Sequence, residues 1–258
     1  MILIIGDSCI DVFRYGVCER LSPEAPVPIF KPHHHVETRG MSHNVFDNVV
    51  ALGTPAYIMT NFIKPTKTRY VDEVSNQMLL RVDECDTVDP IVPDNLMSVD
   101  FTEYDAVIIS DYNKGFLSEE NIDYISKQHD CVFLDSKRKL GDWCVDIDFI
   151  KVNLKEYEQS KVWIYEHFGE CWLHGQYNKR LIVTKGKDGA SLDFTTEFPI
   201  KKKHDVRDLS GAGDTFLAAL VVKYLEKRDI CDAIRFANIC ASWVVTQKGV
   251  TTIDKIKN

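Results

Sequence analysis

One octapeptide near the C-terminal end, Asp208-Leu209-Ser210-Gly211-Ala212-Gly213-Asp214-Thr215, holds residue types that could carry chemistry. Two glycines flank an alanine and an aspartate follows at once. Beyond it, Phe216, Leu217, Leu220, Val221, Tyr224 and Leu225 recur at the spacing of one buried helical face. A glycine-rich turn opening a helix leaves backbone N–H groups without intrahelical partners at the positive end of the dipole. Small side chains let an anion come close to those donors. Asp214 does not suit simple anion binding, since its carboxylate would repel a phosphate held there. It does suit a base that takes a proton from a hydroxyl while the N–H groups stabilise a transferring phosphoryl group. The other reading is a loop with Asp214 as the helix N-cap. A short glycine motif alone leaves both open.

The elements that must position this turn are written in the middle of the chain. Short β-branched apolar runs at 2–5, 106–109, 132–134, 149–152 and 181–183 each end in polar residues: Gly6-Asp7, Ser110-Asp111, Asp135-Ser136, Asn153 and Thr184-Lys185. Runs without alternation predict strands buried on both faces, as in a parallel sheet of an α/β protein. Ligands of such sheets sit beyond the carboxyl ends of the strands, where these polar residues fall. The stretches 27–30 and 77–82 are more mixed in polarity and predict a small half-exposed sheet, a lid over the strand ends. With no repeat, low-complexity segment or long linker, the expectation is one domain over 1–258 with lid strands at about 12–39 and 66–84.

Bulk properties agree with a cytoplasmic enzyme. The chain has 258 residues, 45% of them hydrophobic, and a formal net charge of −8. That charge disfavours nucleic acid or an anionic membrane as a partner. Eight cysteines show no CxxC pair and no zinc spacing, which reads as free, largely buried thiols. The first strand begins directly after Met1, so neither a leader nor a membrane span is expected. Residues 201–203, a short lysine run, read as a solvated strand end, and His33-His34-His35 as a loop or strand end without metal partners.

With these motifs in place, the chain resembles the ribokinase-like (PfkB) carbohydrate kinases: Gly211-Ala212-Gly213-Asp214, preceded by Asp208, looks like their C-terminal signature. Asn153-Leu154-Lys155-Glu156 resembles that family's N-x-x-E motif, and Thr184-Lys185-Gly186-Lys187-Asp188-Gly189 its nucleotide-side glycine turn. Gly6-Asp7, Asp11, Tyr15-Gly16, Arg20 and Ser22-Pro23-Glu24-Ala25-Pro26-Val27-Pro28 resemble the kinase domain of bacterial heptose-7-phosphate kinases. Arg81-Val82-Asp83 and Ser110-Asp111-Tyr112-Asn113-Lys114-Gly115 fit the same subgroup.

The resemblance implies a three-layer α/β/α sandwich with a β lid, and ATP, Mg²⁺ and a sugar phosphate as ligands. Asp214 would be the base and the amides around Gly211, Ala212 and Gly213 the anion hole, with placement and charge neutralisation dominating catalysis. Glu156, with Asn153, would hold Mg²⁺ through its waters. Thr184, Gly186 and Gly189 would line the nucleotide phosphates and Asn238 the adenine. Asp208 and Thr251, in the 249–252 stretch, would hold a monovalent cation such as K⁺. Asp11 and Asn44 would bind sugar hydroxyls. Arg14, Arg20, Asp111, Lys114, Arg69 and Arg81 would gather at the substrate mouth, with arginines suited to bidentate phosphate contacts. A homodimer through the lid is also implied.

The chain departs from the pattern where the family has paired glycines and small residues. It reads Gly40-Met41-Ser42-His43-Asn44-Val45-Phe46-Asp47, and Met41, His43 and Asp47 would reshape the sugar pocket. Residues 53–68 are too few for the helix and strand usual there. The nucleotidyltransferase domain often fused to heptose kinases has no counterpart, so activation of the sugar as a nucleotide is not expected. Other sugars or nucleosides as substrate, or a non-catalytic binding descendant, stay open. Asp214, Glu156 and the glycine turn together speak against the last.

Overall fold

The computed structural model describes residues 1–173, 180–193, 195–200, 206–247 and 249–253. The lysine run at 201–203 lies outside them. The chain enters through β1 (Ile2–Gly6), leaves for the long strands β2 (Ser8–Leu21) and β3 (Pro28–Met41), and returns through α1 (Ser42–Ala51) and β4 (Ala56–Met59). A second excursion forms β5 (Thr66–Asp72) and β6 (Met78–Glu84). From there α/β units follow: α2 (Pro93–Met97), β7 (Ala106–Asp111), α3 (Glu119–Ser126), β8 (Val132–Ser136), β9 (Phe149–Asn153), α4 (Leu154–Leu173) and β10 (Leu181–Thr184). The hairpin β11 (Ala190–Leu192) and β12 (Thr196–Phe198) precedes α5 (Ala212–Lys227) and α6 (Ile230–Val244).

The large sheet has eight strands in the order β12-β11-β10-β9-β8-β7-β1-β4. β4 through β10 in that row pair in parallel, while β11 and β12 add an antiparallel edge. The five apolar runs are its buried strands, and their alternation explains the layers. Ile2 and Ile4 enter a core shared with α1, α5 and α6, whereas Leu3 and Ile5 enter the core on the other face, with α3 and α4. A strand covered on both sides has no polar face to show, hence the continuous apolar spelling. The result is the three-layer α/β/α sandwich.

Two expectations change. From Asp214 to Val222 every residue of α5 is buried, so the helix is enclosed on all sides over this stretch instead of presenting one apolar face. It lies between α1 and α6, and Ala218 and Ala219 let its neighbours come close. The shortened 53–68 segment does keep a strand: β4 pairs in parallel with β1 from Ala56 to Met59 at the sheet edge. Among the described residues no helix stands between β4 and β5.

The second sheet has four strands in the order β3-β2-β5-β6. β2 and β3 start pairing at Ser8 and Met41, earlier than the boundary read from polarity, because the strands run straight out of the large sheet. Residues 33–35 lie exposed within β3, with His33 hydrogen-bonded to Glu73. Among the described residues no helix is long and apolar enough to cross a membrane.

Candidate active site

A cavity of about 380 Å³ separates the small sheet from the carboxyl ends of the large one. Its floor is the turn that opens α5. Gly211 adopts φ 79°, and a Cβ there would lie 2.6 Å from Asn44 Nδ2, so only glycine fits. The backbone then enters the helix at Ala212, where the first amides have no intrahelical acceptor and point toward the cavity end of the dipole. Asp214 sits inside the first turn and does not cap it; Gly211 holds the N-cap position. The capping reading of Asp214 is thereby excluded.

The Asp214 carboxylate is 5% exposed and both of its oxygens accept a hydrogen bond. Tyr112 Oη donates to Oδ1 at 2.5 Å, and Asn44 Nδ2 donates to Oδ2 at 2.9 Å. Asn44 is held in turn by Asn48, whose Nδ2 donates to the Asn44 carbonyl and to Oδ1. Burial pushes the Asp214 carboxyl above its ordinary pKa, and the bonds from Tyr112 and Asn44 pull it back.

Cations share the cavity with this carboxylate. Lys67 and Arg69 on β5, Arg81 on β6 and Lys114 after β7 all line the cavity. Arg69 donates to Asp11 at 2.5 Å, Arg81 is bidentate to Asp83, and Lys114 pairs with Asp86. Lys67 has no carboxylate partner among the described residues; its ammonium lies over the Tyr112 ring, 5.4 Å from the centroid. Beside the turn runs a ladder of alternating charge, buried at Lys151, Asp135 and Glu156 and open to the cavity at Lys137. Lys151 meets Asp135 at 2.6 Å, Asp135 meets Lys137 at 3.3 Å, and Lys137 meets Glu156 at 2.7 Å. Burial works against the Asp135 carboxylate, yet the two lysines outweigh it and hold its pKa below the ordinary value. A Cβ on Gly213 would lie only 3.3 Å from Lys151 Nζ, which places that ammonium against the glycine turn.

Residues 67–257 match the pfkB family carbohydrate kinase model. The chain belongs to the pfkB family of carbohydrate kinases. Bifunctional protein HldE of Helicobacter pylori (strain J99 / ATCC 700824) is 30% identical over 294 residues, spanning 96% of this chain and 63% of its own. The HldE of a Nitratiruptor species is 29% identical, spanning 97% and 62%. The chain thus covers less than two thirds of the length of these relatives. Among solved structures, ribokinase from Thermotoga maritima superposes with a TM-score of 0.69 at 18% identity, covering 96% of this chain and 94% of its own. Arabidopsis thaliana ribokinase, complexed with ribose and ATP, gives 0.71 at 16% identity, covering 98% and 96%. These two similarities speak for the fold.

For this kinase, the structure brings some of the expected residues together and moves others away. Asp11 and Lys114 line the cavity with Gly211 and Asp214. Arg14 does not: along β2 the cavity takes Cys9 and Asp11, and Arg14 falls on the opposite, exposed face. Arg20, farther along the same strand, is also exposed. Asp111 is fully buried behind the site, where it accepts from Ser136 Oγ at 2.5 Å and Arg138 Nε at 2.9 Å. There it ties the ends of β7 and β8 together, outside the cavity lining. Asn44 reaches Asp214, so its amide orients that carboxylate. Of the three departures near α1, Met41 alone lines the cavity; His43 bonds Ser8, and Asp47 pairs with Arg39.

Asn153, Glu156, Thr184, Gly186, Gly189 and Asn238 lie outside this cavity. Asn153 and Glu156 form a reciprocal cap on α4, with Asn153 N to Glu156 Oε2 at 2.8 Å and Glu156 N to Asn153 Oδ1 at 3.0 Å. Thr184 closes β10 and Gly186 opens the short turn that follows it. Gly189 at φ 93° packs its α-carbon against the Phe198 carbonyl, and Asn238 Nδ2 donates to that same carbonyl at 2.8 Å. Both brace the β10–β12 edge. Asp208 accepts from Ser210 N at 2.8 Å and Gly249 N at 3.1 Å, tying the 208–211 and 249–252 segments together next to Thr251.

No group of His, Cys, Asp or Glu among the described residues forms a metal cage. Mg²⁺ needs none where it arrives on a nucleotide and keeps its waters. Glu156 fits that outer role: its Oε1 accepts from Lys137 and Asn153, and Oε2 from Asn153 alone, so acceptor capacity remains. Residues missed in the sequence are Lys67, Tyr112, Asp135, Lys137 and Lys151. Asp135 lay in a noted strand-end polar pair and Tyr112 in the 110–115 motif, and those positions were the signal available.

Proposed function

We propose that this kinase moves the γ-phosphoryl group of ATP to a hydroxyl of a sugar that already carries a phosphate, heptose 7-phosphate being the first candidate. The observation that carries this reading is the basic wall facing Asp214, above all Lys67, a cavity-lining cation without a carboxylate partner among the described residues. In a chain with net charge −8, cations converging on one mouth suit a substrate phosphate. The heptose-kinase-like N-terminal motifs support the same class of sugar.

In the proposed step Asp214 takes the proton of the acceptor hydroxyl, and the sugar oxygen forms a bond to the γ-phosphorus. The bond from that phosphorus to the β,γ-bridging oxygen breaks, and its electron pair leaves with ADP. The amides around Gly211, Ala212 and Gly213 and the Lys151 ammonium stabilise the charge on the transferring group. Asp11 orients a sugar hydroxyl while Arg69 fixes Asp11. Thr184 and Gly186 face the nucleotide phosphates and Asn238 the adenine side. Mg²⁺ borne by ATP would be met by Glu156 through water and would neutralise phosphate charge. A potassium ion beside Asp208 and Thr251 belongs to the same reading. So does a homodimer through the small sheet, whose edge strand β6 exposes Met78 and Leu80.

The test is ADP release against a panel of sugar phosphates, free sugars and nucleosides, with Asp214→Asn as the blank. Turnover with a sugar phosphate that vanishes in the blank supports the reading. Turnover with a nucleoside alone would overturn the substrate, and equal turnover in the blank would overturn the mechanism.

A further inference from the structure

A base that is nearly sealed from water has to be kept charged and aimed by the protein. At Asp214, Asn44 shares these tasks with a residue to which the sequence motifs assign no role, Tyr112, whose hydroxyl donates at 2.5 Å. Tyr112 is itself fixed at three points. Its backbone N–H donates to Asp7 Oδ2 at 2.7 Å, at the crossing from β1 into the small sheet. Its ring lies 5.4 Å from the ammonium of Lys67, on the sugar side, and 5.4 Å from that of Lys137, on the Glu156 side. The turn after it is tight, with Asn113 at φ 54° and Gly115 at φ 115°. A side chain anchored this way has little freedom to swing off Asp214.

We propose that Tyr112 is the positioning residue of the base, its hydroxyl donating to Asp214 Oδ1 and leaving the remaining lone pairs of the carboxylate to the acceptor hydroxyl. This rests on the reading of Asp214 as the base. The Tyr112 proton is not transferred: burial, and Asp214 itself, raise the phenol well above its ordinary pKa, so it stays a donor. The other groups facing Asp214 are Asn44 from α1, Asp135 and Lys137 at and after the end of β8, and Lys151 from β9. Cys9 on β2 also faces it, as a thiol pushed up to about 12. Tyr112→Phe replaces none of these groups and keeps the ring against Lys137, so the pH profile reports the lost donor.

Tyr112→Phe keeps the ring and its cation contacts and removes only the donor. Loss of one hydrogen bond to a carboxylate should move the acid limb of kcat/KM for the sugar upward by about one pH unit. Activity should then fall about tenfold on the acid side and recover toward wild type as pH rises. The substrate phosphate titrates alike in both enzymes and cancels from the comparison. A 3-fluorotyrosine placed at 112 preserves shape, strengthens the donor and should move the same limb downward, which keeps the test alive if the Phe variant folds poorly. Opposite shifts support the proposal. An unmoved limb, a uniform loss at every pH, or a lower KM for sugar without a shift overturns it; the last would mark Tyr112 as a plug in the acceptor's place. Failure of the base reading has a different sign, namely Asp214→Asn retaining turnover.

Discussion

Asp214 is buried and, for the proposed chemistry, must be charged, and these demands oppose each other. Its pKa stands above the ordinary carboxylate value because burial outweighs its hydrogen bonds. Above about pH 4 the native state therefore holds this proton more tightly than the unfolded chain, and stability contributed at low pH is lost as pH rises through the native pKa. Asp214→Asn carries no such cost. Its melting temperature relative to wild type should rise between about pH 4 and pH 7, while turnover falls by about 10²–10⁴-fold. Melting curves and steady-state rates on one preparation check both; a melting difference flat with pH would contradict the burial argument. The glycine turn and Asp214 were readable because their chemistry is contiguous in the chain. Tyr112 and Lys151 were not, since the one meets Asp214 from a different strand end and the other only through the packing of β9 under α5. Arg14 was misplaced for a simpler reason: nearness in sequence to Asp11 ignores the alternation of a strand.

At the scale of elements, the crossings between the two sheets share one buried polar knot. Ser8 opens β2, Ser42 opens α1, and Thr60 and Asn61 precede β5. Ser8 Oγ contacts Ser42 Oγ at 2.7 Å, His43 Nδ1 at 2.8 Å and Thr60 Oγ1 at 2.6 Å, while Ser8 N donates to Asn61 Oδ1 at 2.7 Å. His43, a departure expected to reshape the sugar pocket, instead secures this hinge. Burial, with Lys64 and Arg39 nearby, pushes its pKa down to about 4 from 6.5. The unfolded chain then gains a proton that the native state refuses, so stability falls as pH drops below 6.5 toward 4. The loss should reach up to about 3 kcal/mol. His43→Gln keeps a hydrogen bond without the titration and should flatten that slope in urea unfolding at about pH 5 against pH 7; an equal slope in the variant would remove His43 from the account. The five buried strands could be read from their continuous apolar runs alone. The short strand β4 and the enclosure of α5 could not, because both follow from what packs beside them.

Over the whole molecule, the decisive feature is a cavity walled by two sheets that alternate in the chain. Neither sheet is complete without an excursion to the other, so the basic wall is assembled from β5, β6 and the turn after β7, far apart in sequence. That wall sets the prediction for variants. Lys67→Ala or Lys114→Ala should raise KM for a phosphorylated sugar about tenfold or more and leave KM for ATP near wild type. A rise in the ATP constant alone would assign these lysines to the nucleotide. The most direct measurement of the central claim is the ratio of kcat/KM for heptose 7-phosphate over free heptose in the unaltered enzyme. The basic wall predicts a ratio of about 10² or more, as expected when binding to a substrate phosphate is realised in the transition state. A ratio near or below one would contradict the account.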